Sequence, residues 1–191
     1  AKIVFALPAT KQHTINVLNN GFEITNGLGV ELDAQAIDVV VNSAPVRLPH
    51  AFSWSVNNVS INNLTISNFQ RGLVVNEGAS NRINNNEFIA NDSTIVLRNG
   101  SANSVTFNQI NSGKVGVSVL KGEATINQND FAKKGDSGLL KGVVLNKADN
   151  TFVISNRFTT TIQTVAIEVS NTFGAEVNSN TIISNDLISS A

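Results

Sequence analysis

The sequence has no cysteine, no methionine and no tyrosine, and only three prolines, two histidines and one tryptophan. The first absence excludes disulfides, thiol catalysis and thiolate metal sites. Methionine is missing even at position 1, so the chain reads as a processed or excised product. Charged residues make up 14% of the chain and the net charge is −1. That balance leaves no basic footprint for nucleic acid or an anionic membrane surface. No apolar run reaches the roughly 18 residues of a membrane span, and Ala1 does not open a charged-then-apolar signal peptide. A Ser-His-Asp triad would have to use His13 or His50, and both read as loop or turn histidines. Histidine zinc clusters, EF-hand loops, calcium repeats, Walker loops and dinucleotide glycine motifs are all absent. No cofactor is expected.

Asparagine is what the chain has in excess: 29 residues, about twice the acidic total of 14. Asparagine is a poor helix former that tolerates left-handed turns. Valine, isoleucine, threonine and phenylalanine favour strands. Hydrophobic content of 41% is too high for a disordered polar tract. A length of 191 residues suits one domain with a buried core.

One pattern recurs six times: an aliphatic residue, asparagine three later, a large apolar residue five later. It reads Val59–Asn62–Leu64, Ile83–Asn86–Phe88, Val105–Asn108–Ile110, Ile126–Asn129–Phe131, Val153–Asn156–Phe158 and Val177–Asn180–Ile182. Successive asparagines are 24, 22, 21, 27 and 24 residues apart. Apolar pairs precede each motif from the second on: Leu73/Val75, Ile95/Leu97, Val117/Val119, Val143/Leu145 and Ile167/Val169. Val30 and Asp33 suggest an earlier, degenerate copy. Inward residues of one strand are an even number apart, so an offset of five requires a corner. Asparagine at that corner is expected to take the left-handed conformation. If the corners stack, the amides lie about 4.8 Å apart and form a ladder. The repeat is too short for a helical pair and lacks the leucine-rich framework. A three-sided coil of roughly eight turns, about 38 Å long, fits the length and the alternation.

On these residues, and on phrases such as the one running from Gly72 to Phe88, the chain resembles the right-handed parallel β-helix repeat family with the pectate-lyase-like scaffold. The resemblance covers residues 59–182 well and residues 3–58 more loosely, with Ile24, Val30 and Leu32 in early turns. It implies an all-β, single-stranded, right-handed parallel β-helix with three short parallel sheets. Residues 1–58 are read as irregular first rungs and residues 59–191 as regular rungs of the same domain. Phe88, Phe131 and Phe158 are expected in one interior row interrupted by Ile110.

Residues 2–7 read as a strand, 42–50 as a loop, and 132–142 as a loop bulging from the longest repeat. Phe52, Trp54 and Val56 alternate on one face. Trp54 has two readings, a core residue or a sugar-stacking platform. No amphipathic helix closes residues 185–191. The ends of the stack are therefore expected to be covered by further chain, a partner or self-association.

The register also predicts outward rows. One reads Asn63, Glu87, Gln109, Asp130, Arg157, Thr181, and the other Ser60, Asn84, Thr106, Asn127, Ile154, Asn178. Asn84, Glu87, Thr106, Gln109, Asn127, Asp130 and Arg157 are the candidate carbohydrate-binding residues. Glu87 and Asp130, two turns or about 9.6 Å apart between backbones, approach the upper range of an inverting glycosidase pair and are the catalytic candidates of the alternative reading. A third row, Glu77, Asn99, Lys121, Lys147, Asn171, offers two lysines to an acidic polysaccharide or serves as solvated edge charge. Polygalacturonase and alginate-epimerase motifs are absent, and no calcium-and-base cluster of the pectate-lyase kind is recognisable. The expected function is a non-catalytic extracellular or cell-surface module: adhesin, stalk or polysaccharide-binding scaffold, with a polysaccharide or surface glycan as partner. The alternative is a polysaccharide lyase or glycoside hydrolase.

Overall fold

The computed structural model describes residues 2–4, 13–16, 21–24, 30–33, 39–111, 113–131, 139–160, 165–170, 181–183 and 185–189. None of the described residues is helical. Three parallel sheets run the length of the molecule, two of eight strands and one of seven. Successive strands go to sheets A, B and C in turn, so each strand pairs with the one three positions along the chain. Sheet A runs from Lys2–Val4 through Arg82–Asn84 to Thr181–Ile183. Sheet B runs from His13–Asn16 through Glu87–Ile89 to Asp186–Ser189. Sheet C runs from Phe22–Ile24 through Ser93–Arg98 to Val165–Ser170. This is a parallel β-helix, the fold class the repeat predicts.

The register follows the apolar pattern. In sheet A, Leu32, Ile61, Ile83, Val105, Ile126 and Val153 stack in one row. In sheet B, Phe88, Ile110, Phe131 and Phe158 stack as expected, with the last two rings 4.6 Å apart and nearly parallel. Sheet C contributes the upstream pairs, Leu73/Val75 lying beneath Ile95/Leu97 and those beneath Val117/Val119. All of these side chains are buried in one continuous core.

Large rings need room on the facing wall. A Cβ at Gly116 would stand 2.7 Å from the Phe131 ring, and one at Gly142 would stand 2.5 Å from the Phe158 ring. Gly72 faces Phe88 less tightly: a Cβ there would stand 3.3 Å from the ring and 2.6 Å from the carbonyl of Thr94. The rung between Phe88 and Phe131 has the smaller Ile110 in the aromatic row, and there the glycine column holds Thr94. Across these four rungs large stands with small and medium with medium, as close packing asks.

The two outermost copies of the motif shift register. Ile61 pairs with Ile83, so the first copy is Ile61–Leu64–Ile66 and not Val59–Asn62–Leu64. Ile182 pairs with Val153, so the last copy is Ile182–Asn185–Leu187; Val177 and Asn180 lie outside the described residues. Similarly Leu32, not Val30, continues the inner row. The reason is physical: the template asks only for asparagine at a fixed offset, whereas burial selects which asparagine faces inward. Of the expected loop, Lys141 and Gly142 belong instead to the strand Lys141–Asn146, Leu139 and Leu140 precede that strand with Leu139 buried, and residues 132–138 lie outside the described residues. Of residues 42–50, Asn42 ends one strand and His50 opens another. Both histidines thus stand in strands rather than in loops, His13 opening His13–Asn16. Trp54 is 2% exposed, which makes it a core residue and not a platform.

Candidate functional site

The corner between sheets A and B carries the asparagine ladder. Its inward column is Leu64, Asn86, Asn108, Asn129, Asn156 and Asn185. Each Oδ1 accepts the backbone N–H of the residue one rung below: Asn86 to Asn108 at 2.9 Å, Asn108 to Asn129 at 2.9 Å, and Asn129 to Asn156 at 3.0 Å. Each Nδ2 donates to the next Oδ1 and reaches back to a backbone carbonyl, as Asn108 does to Asn129 at 3.0 Å and to Ile83 at 2.9 Å. The amides thereby satisfy buried backbone groups that a corner cannot pair within a sheet.

Asparagines also serve the other two corners. Asn81 and Asn103 repeat the arrangement between sheets C and A, and Asn91 does so between B and C. The expectation of a single asparagine corner is corrected accordingly. A second correction concerns backbone conformation. The left-handed residue is not the buried asparagine but the one before it: Asn63, Asn85, Phe107, Gln128 and Ser155 all have φ between 53° and 60°. A left-handed turn there swings the following side chain inward.

The corner separates the candidate residues into two sheets. Asn84, Thr106 and Asn127 share the outer row of sheet A with Asn62 and Ile154. Glu87, Gln109, Asp130 and Arg157 share the outer row of sheet B with Thr65 and Asp186. Thr65 therefore replaces Asn63, and Asp186 replaces Thr181. In the sheet A row Asn62 replaces Ser60, and Ile183 replaces the undescribed Asn178. Together the rows and the corner between them form a polar ridge.

Hydrogen bonds tie the ridge together. Thr106 Oγ1 donates to Asn84 Oδ1 at 3.1 Å. Asn111 Nδ2 donates to Glu87 Oε1 at 2.6 Å. Arg157 lies 3.7 Å from Asp130 Oδ2, an exposed pair of little energetic weight. Glu87 and Asp130 are two rungs apart, as the spacing predicts. Gln109 is exposed between them.

Sequence reading missed Phe107. It stands at the crest of the ridge between Thr106 and the buried Asn108, 54% exposed and with φ of 56°. A bulky residue there is a backbone outlier costing about 1–3 kcal/mol. The available signal was its offset: it occupies the place held in other rungs by Asn63, Asn85, Gln128 and Ser155.

Of the third outward row, Asn99, Lys121 and Lys147 stand in register, and Asn171 lies outside the described residues. Asn99, Lys121 and Lys147 line a groove of about 570 Å³ together with Gly100, Ser101, Gly122, Glu123 and Asp149. Acids and lysines share this groove, so it carries no field of one sign.

His50 sits at the start of its strand with Nε2 buried and without a hydrogen-bond partner. Burial pushes its imidazole below the ordinary value of 6.5; Glu23 opposes this and Arg71 reinforces it.

No curated protein and no solved structure matches the chain. A family model described as periplasmic copper-binding protein (NosD) matches residues 9–191, nearly the whole repeat stack, and the chain belongs to that family.

Proposed function

We propose that the chain is a non-catalytic module, held in the periplasm or displayed at the cell surface, that binds polysaccharide along the ridge between sheets A and B. The carrying observation is the run of outward amides, hydroxyls and carboxylates at the strand pitch, from Asn62 to Asn127 in sheet A and from Thr65 to Asp130 in sheet B, on a scaffold whose corner is locked by buried asparagines. Roles as an adhesin or a stalk use the same rigid rod. The family's periplasmic description supports a site outside the cytoplasm.

The family's description also includes copper. Copper favours thiolate, thioether and imidazole donors. This sequence has no cysteine or methionine, and its two histidines stand in different sheets. Among the described residues no three of His, Asp or Glu gather into a metal-holding group. The donor set does not fit a resident copper ion, and nothing in the proposed function passes through one.

A second reading, a glycoside hydrolase or lyase, is favoured by the separation of Glu87 and Asp130, about 9.6 Å between backbones. It is weakened by their surroundings, since Glu87 accepts from Asn111 and Asp130 faces Arg157. A glycan array paired with reducing-sugar and unsaturated-product assays separates the two. Binding without turnover supports the module; turnover abolished in Glu87→Gln or Asp130→Asn supports the enzyme.

A further inference from the structure

Phe107 is the most exposed of the described phenylalanines, and it contributes nothing to the core. Its column is otherwise polar, and Asn63 and Asn85 in the same column take the left-handed backbone with less strain. The ring therefore costs folding through its backbone and gains little back through burial. Strain of this kind gathers where a site uses it.

We infer that Phe107 is a stacking platform for one ring of a neutral hexopyranose chain lying along the ridge. The inference rests on the polysaccharide-binding reading and names its ligand class. The face of an aromatic ring is negative and attracts the polarised C–H bonds on one side of a pyranose. Around the ring stand exposed amides that both donate and accept: Asn85 one rung below, Gln128 one rung above and Gln109 two residues on. These suit the rim of hydroxyls. Glu87 and Asp130 on the adjacent row accept hydroxyl protons but repel a carboxylate, which disfavours a uronate chain. The rung spacing of about 4.8 Å is close to the advance per hexose in an extended glycan, so hydroxyls of successive sugars meet successive rungs.

The test uses the whole chain and three proteins: wild type, Phe107→Asn and Phe107→Trp. Titration calorimetry measures binding of the β-1,4-glucose hexaose, its N-acetylated counterpart, the α-1,4-glucose hexaose and the α-1,4-galacturonate hexaose. We expect at least one neutral hexaose to bind, Phe107→Asn to weaken it by about tenfold or more, and Phe107→Trp to retain it. Thermal melting of Phe107→Asn is expected at or above the wild-type midpoint, because asparagine relieves the strained turn. Equal affinity in wild type and Phe107→Asn overturns the platform and leaves polysaccharide binding standing. Binding of the galacturonate alone overturns the ligand class. A lower melting midpoint in Phe107→Asn overturns the premise that the ring serves no folding role. Failure of all four sugars, with wild type and a Glu87→Gln/Asp130→Asn variant both blank on a broad glycan array, overturns the ridge as a binding surface altogether.

Discussion

Replacing Asn108 by alanine removes an interior amide of the ladder. Its Oδ1 accepts from the backbone N–H of Asn86 at 2.9 Å and from Asn86 Nδ2 at 3.1 Å. Its Nδ2 donates to Ile83 O, Thr106 O and Asn129 Oδ1 at 2.9–3.0 Å. The neighbours do not lose equally. Asn86 Nδ2 keeps the carbonyls of Ile61 and Asn84, and Asn129 Oδ1 keeps the backbone N–H of residue 108. The N–H of Asn86 is left with no acceptor in a buried corner, which costs about 1–3 kcal/mol. The lost bonds to Ile83, Thr106 and Asn129 add about 1 kcal/mol each before relaxation. The expected loss is about 3–5 kcal/mol. Asn62 provides the control. By the sequence template it is equivalent to Asn108, yet it faces outward and donates only to Ser60 Oγ at 3.1 Å. Asn62→Ala is expected within about 0.5 kcal/mol of wild type. Urea unfolding followed by far-ultraviolet circular dichroism, with the fluorescence of buried Trp54 as a second probe, measures both. If the two substitutions shift stability by the same amount, the ladder does not hold the corner as argued.

Ile110→Phe is expected to cost about 1–3 kcal/mol by overpacking against the Thr94 column, and adding Thr94→Gly is expected to restore most of it. A double-mutant cycle with no coupling refutes the proposed pairing of the two positions. His50 predicts a pH dependence. Its folded-state value lies below 6.5, so in the window between the two values the unfolded chain binds more protons. Stability then rises with pH through that window and is lost on acidification below 6.5; His50→Gln is expected to flatten this part of the profile in urea midpoints taken across it.

The fold was legible because two periodicities agree. The even spacing of Leu73/Val75 and its counterparts marks strands, and the odd offset from Ile83 to Phe88 marks the corner. Where the corner position is Leu64 the template slid by two residues onto Asn62, since an asparagine-rich chain offers decoys at almost any offset. Only inward orientation tells the two apart, and that is a property of neighbouring rungs. The outer rows of Glu87, Gln109, Asp130 and Arg157 were readable from the same periodicity. Phe107 was readable only through its offset, which matches Asn85 and Gln128, because an aromatic side chain by itself gives no sign that its backbone is left-handed.

The matching of Gly72, Gly116 and Gly142 to bulky rings, and of Thr94 to Ile110, means that the turns of the coil are not interchangeable parts. Excising residues 94–115 joins Ser93 to Gly116 and removes Thr94 and Ile110 together, leaving each remaining ring opposite a hollow. Excising residues 95–116 also keeps every strand aligned, but it seats Thr94 against Phe131. Shortening by one period is tolerated at the first seam and strained at the second, so a lineage that gains or loses turns is constrained in where it breaks.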